Sequence, residues 1–169
     1  MPVKNPKEFI IDADVLIDYR ESDIEVLTLF SIQVGRLHIG RATFQKVRNL
    51  SEAEARRLRL VVETPDRKLV DKALRARGKL SYDDHETLLL AAQNNWICIT
   101  NDNALRAECD KEGVELLWGL ELMKFLVRIN SLSLNKVLKV VKMIQISNPD
   151  YITDSILRRF EKQLREIVK

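Results

Sequence analysis

The hydrophobic positions of this chain alternate between short apolar runs and longer stretches with helical spacing. Five runs are too short for helices and are typical of strands; they lie at residues 8–12, 37–39, 60–63, 96–100 and 114–118. The stretches between them repeat apolar residues every three or four positions, which indicates amphipathic helices. Strands that alternate with helices predict an α/β/α sandwich with a central parallel sheet of four to five strands and helices on both faces.

The predicted helices also carry start and stop signals. Ser81 is followed three residues later by Asp84, which is the spacing of a capping box at a helix N-terminus. Gly78 follows an amphipathic stretch at residues 66–77, where a glycine in the left-handed conformation commonly ends a helix. These signals predict one helix that stops at Gly78 and another that begins just after Ser81.

The C-terminal residues, 129–169, contain no strand-like run. Two apolar helical faces, at residues 132–144 and 152–167, are separated by the Asn-Pro-Asp sequence at residues 148–150. We therefore expect an α/β domain at residues 1–128 and a helical extension at residues 129–169. The extension is expected either to pack on the domain or to lie at a dimer interface.

The composition places the chain among soluble globular proteins. Hydrophobic residues make up 46% and charged residues 31% of its 169 positions. No apolar run approaches the roughly 18 residues of a membrane span, and the segment after Met1 has no signal-peptide core. Cys98 and Cys109 lack the spacing of a metal site and are interpreted as reduced thiols. We expect a cytoplasmic protein that does not contact membranes.

The net charge of +3 is unevenly distributed along the chain. Residues 41–79 contain 12 Lys and Arg against 5 Asp and Glu, residues 124–169 contain 10 against 4, and residues 80–123 contain 2 against 9. An acidic centre between two basic segments suits a polyanion held across a cation-loaded acidic site, although solvated helix faces explain the same pattern. The residues that would hold such a polyanion are Arg56, Arg57, Arg59, Arg67 and Lys68.

Acidic residues lie where the carboxyl ends of the predicted strands should meet. Asp12 ends the first strand and Asp102 follows the fourth. The helix that opens near Ser81 brings Asp84 and Glu86 to the same edge, because a helix that joins parallel strands runs antiparallel to them. Carboxylates at close range need a counter-charge, and an all-oxygen ligand set favours Mg²⁺ or Mn²⁺.

Such a cation activates water and stabilises an in-line displacement at phosphorus. The residues alone therefore predict metal-dependent hydrolysis of phosphoesters. A purely structural explanation is also open for three of the acids: Asp84 and Glu86 are favoured in a first helical turn, and Asp102 can cap the helix that begins at Ala104. Asp12, at the end of an apolar strand, is harder to explain in this way.

Three segments resemble the motifs of PIN-domain ribonucleases, a family that includes the VapC toxins. Residues 9–18 (FIIDADVLID) are similar to the opening motif, residues 80–91 (LSYDDHETLLLA) to the third, and residues 99–106 (ITNDNALR) to the fourth. They stand in the family's order at the expected separations, and the resemblance spans about residues 8–128. The tail, with Gln-Ile-Ser at residues 145–147, is similar to a C-terminal extension in one branch of the family.

The resemblance implies a helix-flanked sheet, bound Mg²⁺ or Mn²⁺, endonucleolytic cleavage of RNA and often a homodimer. It implies Asp12 and Asp84 as principal metal ligands, and Asp102 as a direct or water-mediated ligand. Glu86 would be a further ligand or a group that orients water. As a toxin, the protein would also bind a small antitoxin.

One departure from the family pattern bears on catalysis. Family members usually carry an acid on the helix after the second strand, where residues 44–47 of this chain are Phe-Gln-Lys-Val. Neither Gln45 nor Lys46 can replace a carboxylate. The alternative function is therefore a weakly active or inactive PIN scaffold that binds RNA or a protein partner. Acids that could substitute for the missing one are Glu52, Glu54 and Asp14.

A third interpretation also begins at Asp12. The sequence Asp12-Ala13-Asp14 resembles the nucleophile motif of haloacid-dehalogenase-type phosphatases, in which Asp12 would attack phosphorus and Asp14 would act as acid and base. Those proteins usually have Gly where this chain has Val15, and the chain has no clear match to their mid-chain Lys or late Gly-Asp pair. Formation of an aspartyl-phosphate on Asp12 would distinguish this class.

Overall fold

A computed structural model describes residues 7–169. Its strands form one sheet in the order β3-β2-β1-β4-β5, and all neighbouring strands are parallel. The strands are β1 (Lys7–Ile11), β2 (Gly35–Gly40), β3 (Leu60–Glu63), β4 (Ile97–Ile99) and β5 (Leu116–Leu117). The predicted parallel sheet with flanking helices is confirmed, with five strands. The N-terminal residues for which no signal-peptide core was expected lie outside the described range.

Helices connect the strands and form the C-terminal part of the chain. None of the helices between residues 7 and 169 is long and apolar enough to cross a bilayer. The helices are α1 (Ala13–Ser22), α2 (Glu25–Gln33), α3 (Arg41–Lys46), α4 (Glu52–Arg57), α5 (Arg67–Arg75), α6 (Tyr82–Asn94), α7 (Asn103–Glu112), α8 (Glu121–Arg128), α9 (Leu134–Ser147) and α10 (Asp154–Ile167).

The helix ends agree with the sequence signals at some sites and differ at others. The Ser81–Asp84 capping box is present at the start of α6, and Asn95 ends that helix in the left-handed conformation. The predicted stop at Gly78 is wrong. Helix α5 already ends at Arg75 because Ala76 is extended, and Gly78, with φ of +120°, lies outside the left-handed helical region.

The central strands are buried on both faces. In β1, Phe9 and Ile11 join the core on one side of the sheet and Ile10 joins the core on the other side, as the alternation of side chains along a strand requires. The second core also contains Cys98 and Cys109, which are buried and free. Apolar strands of this kind fit a parallel sheet that is covered by helices on both sides.

The helical extension shares the larger of the two cores. Val137 and Ile144 of α9 and Phe160 and Leu164 of α10 are buried in the same cluster as the sheet residue Phe9. Helix α9 packs against α1, and α10 packs against α8 and α9. The extension therefore covers one helical layer of the α/β unit.

Candidate active site at the carboxyl edge of the sheet

The centre of the sheet contains a topological switch point. From β1 the chain continues to β2 on one side, and it returns later to place β4 on the other side. Open α/β sheets bind ligands beyond the carboxyl ends of strands at such a point. Asp12 directly follows β1, and its backbone N–H donates to the carbonyl of Ile99 at 3.0 Å. This contact places Asp12 beside the segment that carries Asp102.

Asp12 is a buried carboxylate with only 3% of its surface exposed. Its Oδ1 accepts a hydrogen bond from the N–H of Ala13 at 2.6 Å, and its Oδ2 accepts one from the Thr100 hydroxyl at 2.8 Å. Burial raises the pKa of Asp12 from 3.8 to about 7; the hydrogen bond from Thr100 lowers it, and the negative charges of Asp14 and Asp84 raise it further. Asp12 thus lacks a nearby positive charge sufficient to keep it fully ionised at neutral pH.

Thr100 links the two strand-end aspartates. Its hydroxyl donates to Asp12 and accepts from the backbone N–H of Asp102 at 3.0 Å. The Oδ1 of Asp102 accepts from the N–H of Leu105 at 2.7 Å and so caps α7. Asp102 therefore caps α7, as its purely structural explanation requires. The hydrogen bond to Thr100 also keeps Asp102 at the edge where Asp12 lies.

Asp84 also combines a capping role with proximity to Asp12. Its Oδ2 accepts from the Ser81 hydroxyl at 2.7 Å and from the Ser81 N–H at 3.2 Å. The Asp84 charge nonetheless contributes to the raised pKa values of both Asp12 and Asp14. The start of α6 thus places a third carboxylate on the side of the sheet where the switch point lies.

Glu86 has a different environment from the other predicted site residues. It is buried, and its Oε1 accepts from the N–H of Ala42 at 2.9 Å. Gly40, at the N-cap of α3, has no side chain to cap that helix, and a Cβ there would clash with the Glu86 carboxylate. The pKa of Glu86 is raised by burial, and the hydrogen bond from Ala42 reduces this increase. Glu86 therefore caps α3 from a neighbouring helix.

Three further charged residues, Asp14, Lys46 and Asp83, lie at this edge. Asp14 lies in the first turn of α1, and its pKa is raised above the usual value, mainly by burial. The charge of Lys46 lowers this pKa, and the charges of Asp102 and Asp84 raise it. Lys46 Nζ lies 2.9 Å from Asp83 Oδ2. Although burial acts in the opposite direction, the hydrogen bonds from Lys46 and Ser81 lower the pKa of Asp83. The Asp-x-Asp spacing after β1 is a sequence pattern that indicates Asp14 at this edge. No sequence pattern indicates the contact between Lys46 and Asp83.

The donor chemistry at this edge fits a hard divalent cation. The carboxylates supply oxygen ligands of the kind that Mg²⁺ and Mn²⁺ prefer, and burial, together with a smaller effect of their mutual repulsion, raises the pKa values of Asp12 and Asp14. Within residues 7–169, no three His, Cys, Asp or Glu side chains already converge as a metal site. Binding would therefore require the carboxylates to turn toward one another. The acids concerned are Asp12, Asp14, Asp84 and Asp102.

The basic residues predicted to hold RNA divide between the two ends of the sheet; they are Arg56, Arg57, Arg59, Arg67 and Lys68. The first three lie at the end of α4 or just before β3, which is the edge opposite Asp12. The last two open α5 beyond the carboxyl end of the outermost strand, β3. Arg57 is also paired with Glu25 at 2.8 Å. The structure does not gather the five around the acids.

No protein-family model and no curated protein matches the sequence. The fold is similar to that of a PilT N-terminus (PIN) domain protein from the hyperthermophilic archaeon Sulfolobus solfataricus P2, with a TM-score of 0.52 and 16% sequence identity. The similarity covers 69% of this chain and 91% of that chain. This chain has a PIN-type fold.

The structural similarity supports the PIN resemblance at the level of the fold. The VapC branch, the homodimer and the small antitoxin partner stay predictions. The roles of the site residues rest on their geometry rather than on this distant neighbour.

Proposed function

We propose that the protein is a divalent-metal-dependent endoribonuclease that hydrolyses RNA phosphodiester bonds at the carboxyl edge of its sheet. The observation that carries the proposal is Asp12, a buried carboxylate at the switch point of a PIN-type sheet with a pKa raised to about 7. A cation beside Asp12 would keep it ionised at neutral pH. Asp14, Asp84 and Asp102 would share that cation after their carboxylates turn toward Asp12.

Each residue of the site has a defined task in this proposal. Asp12 and Asp84 would hold Mg²⁺ or Mn²⁺ directly, and Asp102 directly or through water. When bound, the ion would supply an activated water and charge neutralisation at the phosphate. Thr100 orients Asp12 and the backbone of Asp102 from one buried hydroxyl. In the reaction, the water oxygen bonds to phosphorus, one P–O ester bond breaks, and the leaving oxygen takes up a proton.

The proposal is tested by cleavage of a structured RNA in Mg²⁺ or Mn²⁺. We expect wild type to cut the RNA and Asp12→Asn to lose at least about a hundredfold in rate, because it removes a charged ligand of the ion. The matched control is Asp110→Asn, an exposed aspartate of α7, which should retain the wild-type rate. Equal cleavage by wild type and Asp12→Asn, or none by either, would refute the nuclease proposal.

A specific contact favours a second candidate, a PIN scaffold that binds RNA with little or no cleavage. Lys46 lies on α3, the helix on which the family usually has an acid. Its positive charge lies beside the Asp83 carboxylate at the acidic edge. That charge partly replaces the one that a metal ion would bring. If this candidate holds, wild type and Asp12→Asn will bind RNA with similar affinity in Mn²⁺, and neither will cut it.

A further inference from the structure

A cavity opens beside the acidic edge, between the C-terminal end of the sheet and the helical extension. It has a volume of about 310 Å³, and residues of β4–α7, β5–α8 and α10 surround it. Its walls are mainly apolar and aromatic, with Trp118, Tyr151 and Phe160 among them. This volume is at the lower end of the range of small-ligand sites, so it suits one flat ring system rather than a folded partner.

The cavity holds exposed aromatic surface together with positive charge. Trp118 is 44% exposed and Tyr151 is 49% exposed. The guanidinium carbon of Arg106 lies 3.5 Å from the centre of the Trp118 ring. Arg159 also lines the cavity, and within residues 7–169 it has no carboxylate partner. Flat apolar surfaces next to an unpaired cation suit a ligand that has both an aromatic ring and a negative charge.

The loop that carries Trp118 is attached to the same segment as the candidate active site. Asn101, which precedes Asp102, accepts a hydrogen bond from the Gly119 N–H at 2.9 Å and lines the cavity. Trp118 follows β5, which lies two strands from β1. Neighbouring strands are about 4.8 Å apart, so Trp118 lies about 10 Å along the sheet edge from Asp12.

We infer that this cavity binds one unpaired base of an RNA strand whose phosphate lies at the acidic edge. The base stacks on Trp118 and Tyr151, and Arg159 contacts an adjoining phosphate, while Lys124 stays paired with Glu121 at 3.7 Å. Base stacking on aromatic side chains is a general means of binding single-stranded nucleic acid, and cations give it charge complementarity. The inference rests on the proposed RNA substrate and adds a subsite that selects single-stranded RNA.

The test measures the binding of a fluorescein-labelled single-stranded RNA by anisotropy in EDTA, which prevents cleavage. The same RNA is then used with single bases removed. For wild type, removal of one particular base should weaken binding about tenfold. In Trp118→Ala this dependence should disappear, whereas Trp118→Phe should retain most of it. Ile146→Ala, which alters an exposed apolar residue of α9, is the control and should behave as wild type.

Three results would overturn the base subsite. They are equal binding of intact and abasic RNA by wild type, an unchanged base dependence in Trp118→Ala, and no binding of the RNA at all. A change in Trp118 fluorescence with protein concentration alone would instead assign the cavity to contact with a second copy of the chain. Cleavage in Mn²⁺ by a protein whose RNA binding shows no base dependence would refute the subsite but not the nuclease proposal. Base-dependent binding without cleavage would refute the nuclease proposal but not the subsite.

Discussion

Asp12 combines near-complete burial with two like charges close by. Its hydrogen bonds from Ala13 and Thr100 partly compensate for burial, but the pKa is still raised to about 7. The folded protein without a bound cation therefore holds a proton on Asp12 at pH values where the unfolded chain has lost it. This proton links stability, pH and cation binding at a single residue.

We predict that the metal-free protein loses stability as pH rises from about 4 to about 7. In this window the folded state binds more protons than the unfolded state, because the folded pKa of Asp12 lies above the unfolded value of 3.8. The full shift corresponds to about 4 kcal/mol as an upper limit. Asp12→Asn should therefore raise the melting temperature in EDTA at about pH 8 and have little effect near pH 4. An equal effect at both pH values would contradict this account.

Lys46 is predicted to weaken cation binding at the acidic edge. It carries a positive charge beside Asp83 and is 53% exposed at its side chain, so the effect should be modest. Lys46→Met should tighten the binding of Mn²⁺ a few-fold, in line with the small energies of exposed ion pairs. Lys46→Arg keeps the charge and should match wild type. Isothermal titration calorimetry with Mn²⁺ measures the affinity of both variants. Weaker binding of Mn²⁺ by Lys46→Met would show that Lys46 supports the cation site instead of opposing it.

Among the elements, helix α3 is capped by a carboxylate of α6. Glu86 of α6 accepts from the N–H of Ala42, and the absence of a side chain at Gly40 leaves room for it. This contact joins residues 44 positions apart in the sequence. A helix of six residues such as α3 gains little from its own hydrogen bonds and relies on such tertiary contacts.

Glu86→Gln should separate a structural role from a catalytic one. The amide oxygen of Gln can still accept from Ala42, so we expect a melting temperature close to wild type and RNA cleavage within about tenfold of wild type. Glu86→Leu removes the acceptor and should destabilise the protein by about 1 to 3 kcal/mol. Loss of cleavage in Glu86→Gln as deep as that in Asp12→Asn would give Glu86 the catalytic role that the PIN resemblance implies.

The elements show which features can be predicted from sequence. The buried strands and the Ser81 cap follow from local patterns, since an apolar run and a Ser-x-x-Asp spacing act within a few residues. The end of α5 depends on Ala76 becoming extended before Gly78 is reached, and no local signal marks it. The contacts Glu86–Ala42 and Lys46–Asp83 arise only when α3 and α6 meet, so sequence spacing could not indicate them.

At the scale of the whole molecule, the helical extension is connected to the candidate site. Asn148, in the break between α9 and α10, donates to Asp18 at 3.1 Å. Asp18 also accepts from Asn101, at 3.4 Å. The extension also lines the cavity near Trp118 through α10. It therefore supports both the α/β core and the edge of the sheet where the acids lie.

We predict that the extension is needed for the stability of the α/β unit. Ile144 of α9 is 1% exposed, whereas Ile146 of the same helix is 78% exposed. Ile144→Ala should lower the free energy of unfolding by about 2 to 5 kcal/mol, and Ile146→Ala should change it by less than about 0.5 kcal/mol. Urea unfolding measures both. Similar small effects would indicate that the extension contributes little to the core.

If Asp12 and its neighbouring carboxylates bind a divalent cation, crystals soaked in Mn²⁺ will show the ion by anomalous diffraction. At about pH 8, where Asp12 is largely ionised, we predict an anomalous peak coordinated by Asp12 together with Asp84 or Asp102. The peak should be absent in Asp12→Asn crystals soaked in the same way. A wild-type structure with no Mn²⁺ at Asp12, or an identical peak in Asp12→Asn, would contradict the account.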